Sequence, residues 1–131
     1  IGRSLMMGIR IEENFDRPFR SANLVEFWSR WHMTLSLWCR DYVYQPIASA
    51  TRSPVAGVVA AMIVLGLWHE TSAYYIIWAL WQATGIIGSR VLAPLYPALP
   101  KRLERVVTPC LMLGWLSLSK PVALEILNIW G

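Results

Sequence analysis

The sequence predicts an all-α membrane protein with several helical spans, and three observations predict it. Of its 131 residues, 56% are hydrophobic and only 15% charged, against about 25% charged in soluble globular domains. Three runs, residues 54–68, 73–89 and 106–119, hold no charge at all. The basic residues stand at the edges of apolar stretches: Arg3 and Arg10, Arg17 and Arg20, Arg52, Arg90, then Lys101, Arg102 and Arg105. Cations beside spans favour cytoplasmic loops. The net charge of +4 forms no concentrated patch, so the expected partner is the lipid bilayer and not nucleic acid. There is no Met start, basic n-region or cleavage site. The chain opens on Ile1 inside an apolar pattern, so residues 1–131 read as the internal-to-C-terminal part of one larger domain.

Taken in order, residues 1–11 read as the end of a helix interrupted by Gly2 and Gly8. A polar loop follows, with Phe15 and Phe19 flanking the rigid Arg17-Pro18 turn. Asn23-Leu-Val-Glu26 has the form of a capping box, in which the Asn23 side chain accepts a first-turn amide and Glu26 reaches back to the cap amide. No Gly or Pro then intervenes before Pro46, so a helix is expected over about Leu24–Tyr44, ending before the proline. Trp28, Trp31, His32, Leu35, Cys39 and Tyr42 recur at helical spacing and share one expected face. Glu26 and Arg30 stand four apart in the favourable order. Asp41 opposes the helix dipole near the expected C-terminus, which suggests a specific partner; a solvated surface carboxylate is the alternative. Alone, this stretch would read as an amphipathic helix at a membrane interface.

Pro54 suits the first turn of the next helix. Residues 54–68 extend only about 22 Å, short of a hydrocarbon core of roughly 30 Å. The span therefore continues through His69-Glu70-Thr71-Ser72 or stops within the membrane, and an ionisable residue at that depth is a functional candidate. An exposed turn is the plain alternative. Residues 73–89 form a second apolar helix, in which Gln82 faces protein and Gly85 and Gly88 permit close helix contact. The stretch from residue 90 to 105, rich in Pro and basic residues, reads as a loop or interfacial segment. A third apolar run is expected to break at Lys120-Pro121. With basic loops on one side, residues 54–89 make a hairpin with His69 near its apex. Cys39 and Cys110 lie in apolar surroundings without a CxxC pattern and are expected as free buried thiols.

The two histidines, His32 and His69, are the groups suited to proton transfer near neutral pH. Two His and two distant Cys fall short of the three or four ligands of a zinc site. There is no GxSxG nucleophile motif and no phosphate-binding glycine loop. On residue chemistry alone, a non-catalytic membrane scaffold or acyl conduit stays open beside an enzyme.

Three blocks narrow this. NF-x-x-PF-x-S over Asn14–Ser21, EFWSRWH-x-x-LS-x-W-x-RDYVY-x-P over Glu26–Pro46, and GLWH over Gly66–His69 occur in this order. Together they resemble the membrane-bound O-acyltransferase family, in particular its bacterial branch of alginate O-acetyltransferases. The D-alanyl transfer protein of teichoic acid modification is a similar relative. The resemblance implies a helical core enclosing a tunnel through the bacterial cytoplasmic membrane. It implies transfer of an acyl group, acetyl foremost, from a thioester co-substrate such as acetyl-CoA toward polysaccharide hydroxyls. No bound cofactor or metal is implied, and a separate extracytoplasmic acetyltransferase partner is. His69 matches the family's catalytic histidine and His32 the second polar position of its active site. Trp31, Asp41, Tyr44 and Trp68 match positions of the same blocks and are carried over as substrate-binding or tunnel-lining residues. The chain departs from the pattern in having Thr34 where Ser is frequent and Gln82 where His is common.

Overall fold

The computed structural model describes residues 6, 8, 12–94 and 101–130. The expected helix end at residues 1–11 falls mostly outside them. Among the described residues the secondary structure is helical, with no strand and one isolated antiparallel bridge, Phe15 to Trp31.

The chain enters through a 3-10 turn at Pro18–Arg20, whose lead residue Arg17 takes a left-handed backbone at φ 46°. Helix α1 is Leu24–Arg30. One half of the expected capping box forms: Asn23 Oδ1 accepts the Glu26 amide at 2.9 Å. The Glu26 carboxylate reaches one residue beyond the cap and accepts the Ala22 amide at 2.7 Å. It also pairs with Arg30 at 2.8 Å.

The single helix expected over Leu24–Tyr44 is broken. α1 stops at Arg30, Trp31 is extended, and His32 takes a left-handed backbone before α2, Met33–Cys39, begins. The face proposed from helical spacing is therefore split, and Tyr42 is 70% exposed. The expected stop at Pro46 is also absent. A π turn at Arg40–Tyr44 runs into α3, Gln45–Thr51, with Pro46 in the first turn of α3. Proline lacks an amide donor and crowds the carbonyl four residues back. The wider π turn, closed by the Gln45 amide on the Arg40 carbonyl, removes that conflict without ending the helix. Arg52, left-handed at φ 54°, ends α3.

α4, Pro54–His69, starts on Pro54 with the Ser53 hydroxyl accepting the Ala56 amide at 3.2 Å. A short turn over residues 70–72 leads into α5, Ala73–Leu92, and the two helices pack as a hairpin. His69 is the last residue of α4, next to that turn, as the sequence suggests. Gly66 makes the tight approach possible: a Cβ there would lie 2.6 Å from the Tyr75 carbonyl oxygen. α5 runs past the expected boundary into the stretch read as a loop. α6, Lys101–Trp130, passes through both Pro109 and Pro121, so the break expected at Lys120-Pro121 does not occur. Its part Val106–Ile129 is the one helix among the described residues long and apolar enough to cross a membrane by itself.

The core joins Leu24 and Phe27 of α1, Cys39 and Val43 at the π turn, and Val58, Ala61, Met62 and Leu65 of α4. Ala79, Ala83 and Ile86 of α5 and Met112 of α6 complete it. Gln82 is buried, at 1% exposure, as expected of a polar residue facing protein. Gly85 abuts the Trp115 indole and Leu24, whereas Gly88 faces open space and makes no close helix contact. Trp81 stacks on Trp115 at 4.1 Å and donates its indole N–H to the Trp115 carbonyl at 3.0 Å. Cys39 is buried, but Cys110 is exposed, against the expectation of two buried thiols.

Candidate active site

The site is built where two local irregularities meet: the break between α1 and α2, and the tip of the α4–α5 hairpin. At the break, residues 14–16 run antiparallel to residues 30–33. The Asp16 amide donates to the Arg30 carbonyl at 3.0 Å, and the Met33 amide donates to the Asn14 carbonyl at 2.8 Å. The Ser36 hydroxyl donates to the Trp31 carbonyl at 2.8 Å. Between these ties His32 is held at φ 45°, ψ 56°, a region that disfavours a residue with a Cβ by about 1–2 kcal/mol. Non-glycine residues persist in such strained conformations mainly where surrounding contacts over-determine them, and they concentrate at functional sites.

At the hairpin tip Trp68 stands between the two imidazoles. Its ring meets His32 edge-on at 5.8 Å and His69 edge-on at 5.0 Å. His69 stacks on Tyr75 at 5.3 Å with planes 10° apart, and meets Trp78 edge-on at 5.8 Å. Rings then continue from Trp78 to Trp28, from Trp28 to Phe27, and from Phe27 to Trp31. Phe15 completes the circuit, at 5.0 Å from Trp31 and 6.0 Å from His32. Both histidines therefore sit on one closed loop of aromatic contacts. Such contacts fix ring orientation through packing and quadrupole geometry, at about 0.5–1.5 kcal/mol per pair.

The two imidazoles differ in access. His69 is exposed, so a substrate can reach it. His32 is half-buried, and its Nδ1 is buried without a hydrogen-bond partner. An unpaired buried nitrogen is costly unless something binds it, so a substrate polar group is a fitting partner. Among the described residues no three His, Cys, Asp or Glu side chains group as metal ligands.

The structure thus brings together His32, His69 and Trp68. Trp31 belongs to the same circuit through Phe15 and Phe27. Tyr44 lies elsewhere: it lines a cavity of about 270 Å³ with Trp28, Cys39, Met62 and Arg90, a cavity containing neither histidine. The Arg90 guanidinium lies 5.7 Å from the Tyr44 ring centre. Asp41 is also apart from the histidines. It accepts a 2.7 Å bond from its exposed neighbour Arg40, which holds its carboxyl below the usual range. The partner suggested for this acid is therefore the adjacent arginine. Sequence reasoning missed Asn14 as a contact of α2, and Tyr75 and Trp78 as the walls around His69. The aromatic spacing after HETS was the one available signal for the latter pair.

The sequence model of the membrane-bound O-acyltransferase family matches residues 1–118. A probable alginate O-acetylase of Pseudomonas aeruginosa is 38% identical over 120 residues, covering 88% of this chain and 23% of that protein. A teichoic acid D-alanyltransferase of Bacillus subtilis (strain 168) is 39% identical over 93 residues, covering 63% of this chain and 24% of that protein. A peptidoglycan O-acetyltransferase of Helicobacter pylori is 31% identical over 83 residues, 61% of this chain and 16% of that protein. The chain thus spans about a quarter or less of the length of these relatives. With the family match running through both histidine-bearing blocks, the chain belongs to the membrane-bound O-acyltransferase family.

Proposed function

We propose that the protein is an O-acyltransferase moving an acyl group, acetyl foremost, from a thioester donor toward hydroxyls of a cell-surface polysaccharide such as alginate. The observation that carries the reading is the accessible His69 at the hairpin tip, with Trp68 linking it to the strained, half-buried His32. The hydroxyl oxygen attacks the thioester carbonyl while His69 takes the hydroxyl proton. When the tetrahedral species collapses, the carbon–sulfur bond breaks and that proton passes to the departing thiolate. His32 orients the substrate through its free Nδ1 or supports the charge that develops in the transition state. Trp68 and Trp31 shape the walls, and Asp41 and Tyr44 line the path further from the histidines. The whole protein lies in the bacterial cytoplasmic membrane and crosses it several times. A separate extracytoplasmic acetyltransferase receives the group or acts beside it. Alginate O-acetylase among the relatives supports the acetyl assignment.

The teichoic acid D-alanyltransferase relative, at 39% identity, favours D-alanyl transfer as the second reading. The full-length protein in membrane vesicles decides between them. Vesicles are given either labelled acetyl thioester or labelled D-alanyl carrier thioester, and the label in extracytoplasmic polymer is counted. Acetyl label alone supports the first reading and D-alanyl label alone the second. Transfer of neither overturns both.

A further inference from the structure

The His32 backbone is held from outside its own helix. A residue at a helix N-cap normally serves the first-turn amides with its own side chain. His32, at the N-cap of α2, makes no such bond. Asn14 supplies it from eighteen positions upstream. Its Oδ1 accepts the Thr34 hydroxyl at 2.6 Å and lies 3.3 Å from the Thr34 amide nitrogen. Its main-chain carbonyl accepts the Met33 amide at 2.8 Å. Two first-turn amides of α2 and one first-turn hydroxyl thus converge on a single residue. The next residue, Phe15, pairs with Trp31 through the antiparallel bridge and sets its ring against both Trp31 and His32.

We infer that Asn14 is a positioning residue for the acyl-transfer site: by capping α2 in place of His32 it fixes the left-handed turn that aims the His32 imidazole at Trp68. The consequence for the side chains is direct. His32 is free of the capping task, so its buried Nδ1 stays available to a substrate. Thr34 is the partner that makes the cap two-pronged. Serine keeps that hydroxyl, and valine removes it while keeping the shape. The inference rests on the acyltransferase reading above, because it assigns Asn14 a role in that same site.

The test uses the full-length protein in membranes and the acyl-transfer assay, at matched protein level. Asn14→Ala is expected to lower the apparent kcat by roughly ten- to a hundred-fold, the scale of a displaced catalytic group. The donor KM should change by less than about three-fold on the same reasoning. Asn14→Asp, which keeps an acceptor oxygen, should restore most of the rate. Thr34→Val should lose rate in the same way, and Thr34→Ser should recover it. In a His32→Ala background, Asn14→Ala should have little further effect, because the group it positions is gone. Full additivity of the two substitutions overturns the inference, as does an unchanged kcat in both Asn14→Ala and Thr34→Val. If Asn14→Ala fails to accumulate, the Thr34 pair with the same His32→Ala cycle decides alone. Absence of acyl transfer by the parent protein strikes instead at the acyltransferase reading, so the two failures are distinguishable.

Discussion

Replacing Gly66 by alanine tests how closely the hairpin holds His69 in place. Gly66 lies one turn before His69 on α4, and its α carbon faces the first turn of α5. An added Cβ would lie 2.6 Å from the Tyr75 carbonyl oxygen, 3.1 Å from the Ala79 Cβ and 3.3 Å from the Tyr75 carbonyl carbon. An ordinary carbon–oxygen contact is about 3.3 Å or longer, so the helices must separate by roughly 0.7 Å at that point. The obstacle is backbone, and no side-chain rotation removes it. Overpacking of this kind costs about 1–3 kcal/mol. The same separation moves Tyr75, the ring stacked on His69, and a shift approaching 1 Å can lower rate by about a hundred-fold. The expected outcome for Gly66→Ala is a lower unfolding midpoint in detergent and acyl transfer reduced at least ten-fold. Gly88→Ala is the internal control, because a Cβ there meets nothing within 4 Å and alanine improves helix propensity by up to about 1 kcal/mol. Parent-like transfer and stability in Gly66→Ala would refute the reasoning.

Further substitutions separate chemistry from support. Trp68→Ala should reduce transfer strongly with little change in unfolding midpoint, since the residue is 59% exposed yet its ring touches both imidazoles; Trp68→Phe should retain part of the rate. Asn23→Ala removes the cap on the Glu26 amide and should cost about 1 kcal/mol, read as a lower midpoint in thermal unfolding. Trp81→Phe keeps an aromatic ring against Trp115 but loses the 3.0 Å N–H bond to its carbonyl, a loss of about 1 kcal/mol visible in the same assay.

Much of this arrangement was legible in local chemistry. Asn23 and Glu26 announced the start of α1 because a capping box needs only residues three apart. Pro54 and the charge-free run announced α4, and His69-Glu70-Thr71-Ser72 marked the hairpin tip, but the small-residue stretch 47–51, which reads as a loop, is helical in α3. The break at His32 was not legible, since Ser-Arg-Trp-His-Met-Thr contains no helix breaker. What stops α1 is tertiary: residues 14–16 supply the bridge and the cap from a distant part of the chain. The prolines misled for a related reason. Pro46 is accommodated by a π turn that no local pattern encodes. Pro109 and Pro121 lie inside an apolar helix, and membrane helices tolerate prolines whose freed carbonyls find neighbouring partners. Of the candidate site, His32, His69 and Trp68 converge, while Asp41 and Tyr44 shared sequence blocks with them without sharing their place.

The central claim is that His69 removes the acceptor's proton. The most direct measurement compares the full-length parent with His69→Ala, in membranes given labelled acyl thioester, at matched level and with matched detergent-extracted elution profiles. Transfer should fall by several orders of magnitude while the protein remains folded, as general-base removal requires. Equal transfer in the two would contradict it and move the chemistry away from the hairpin tip.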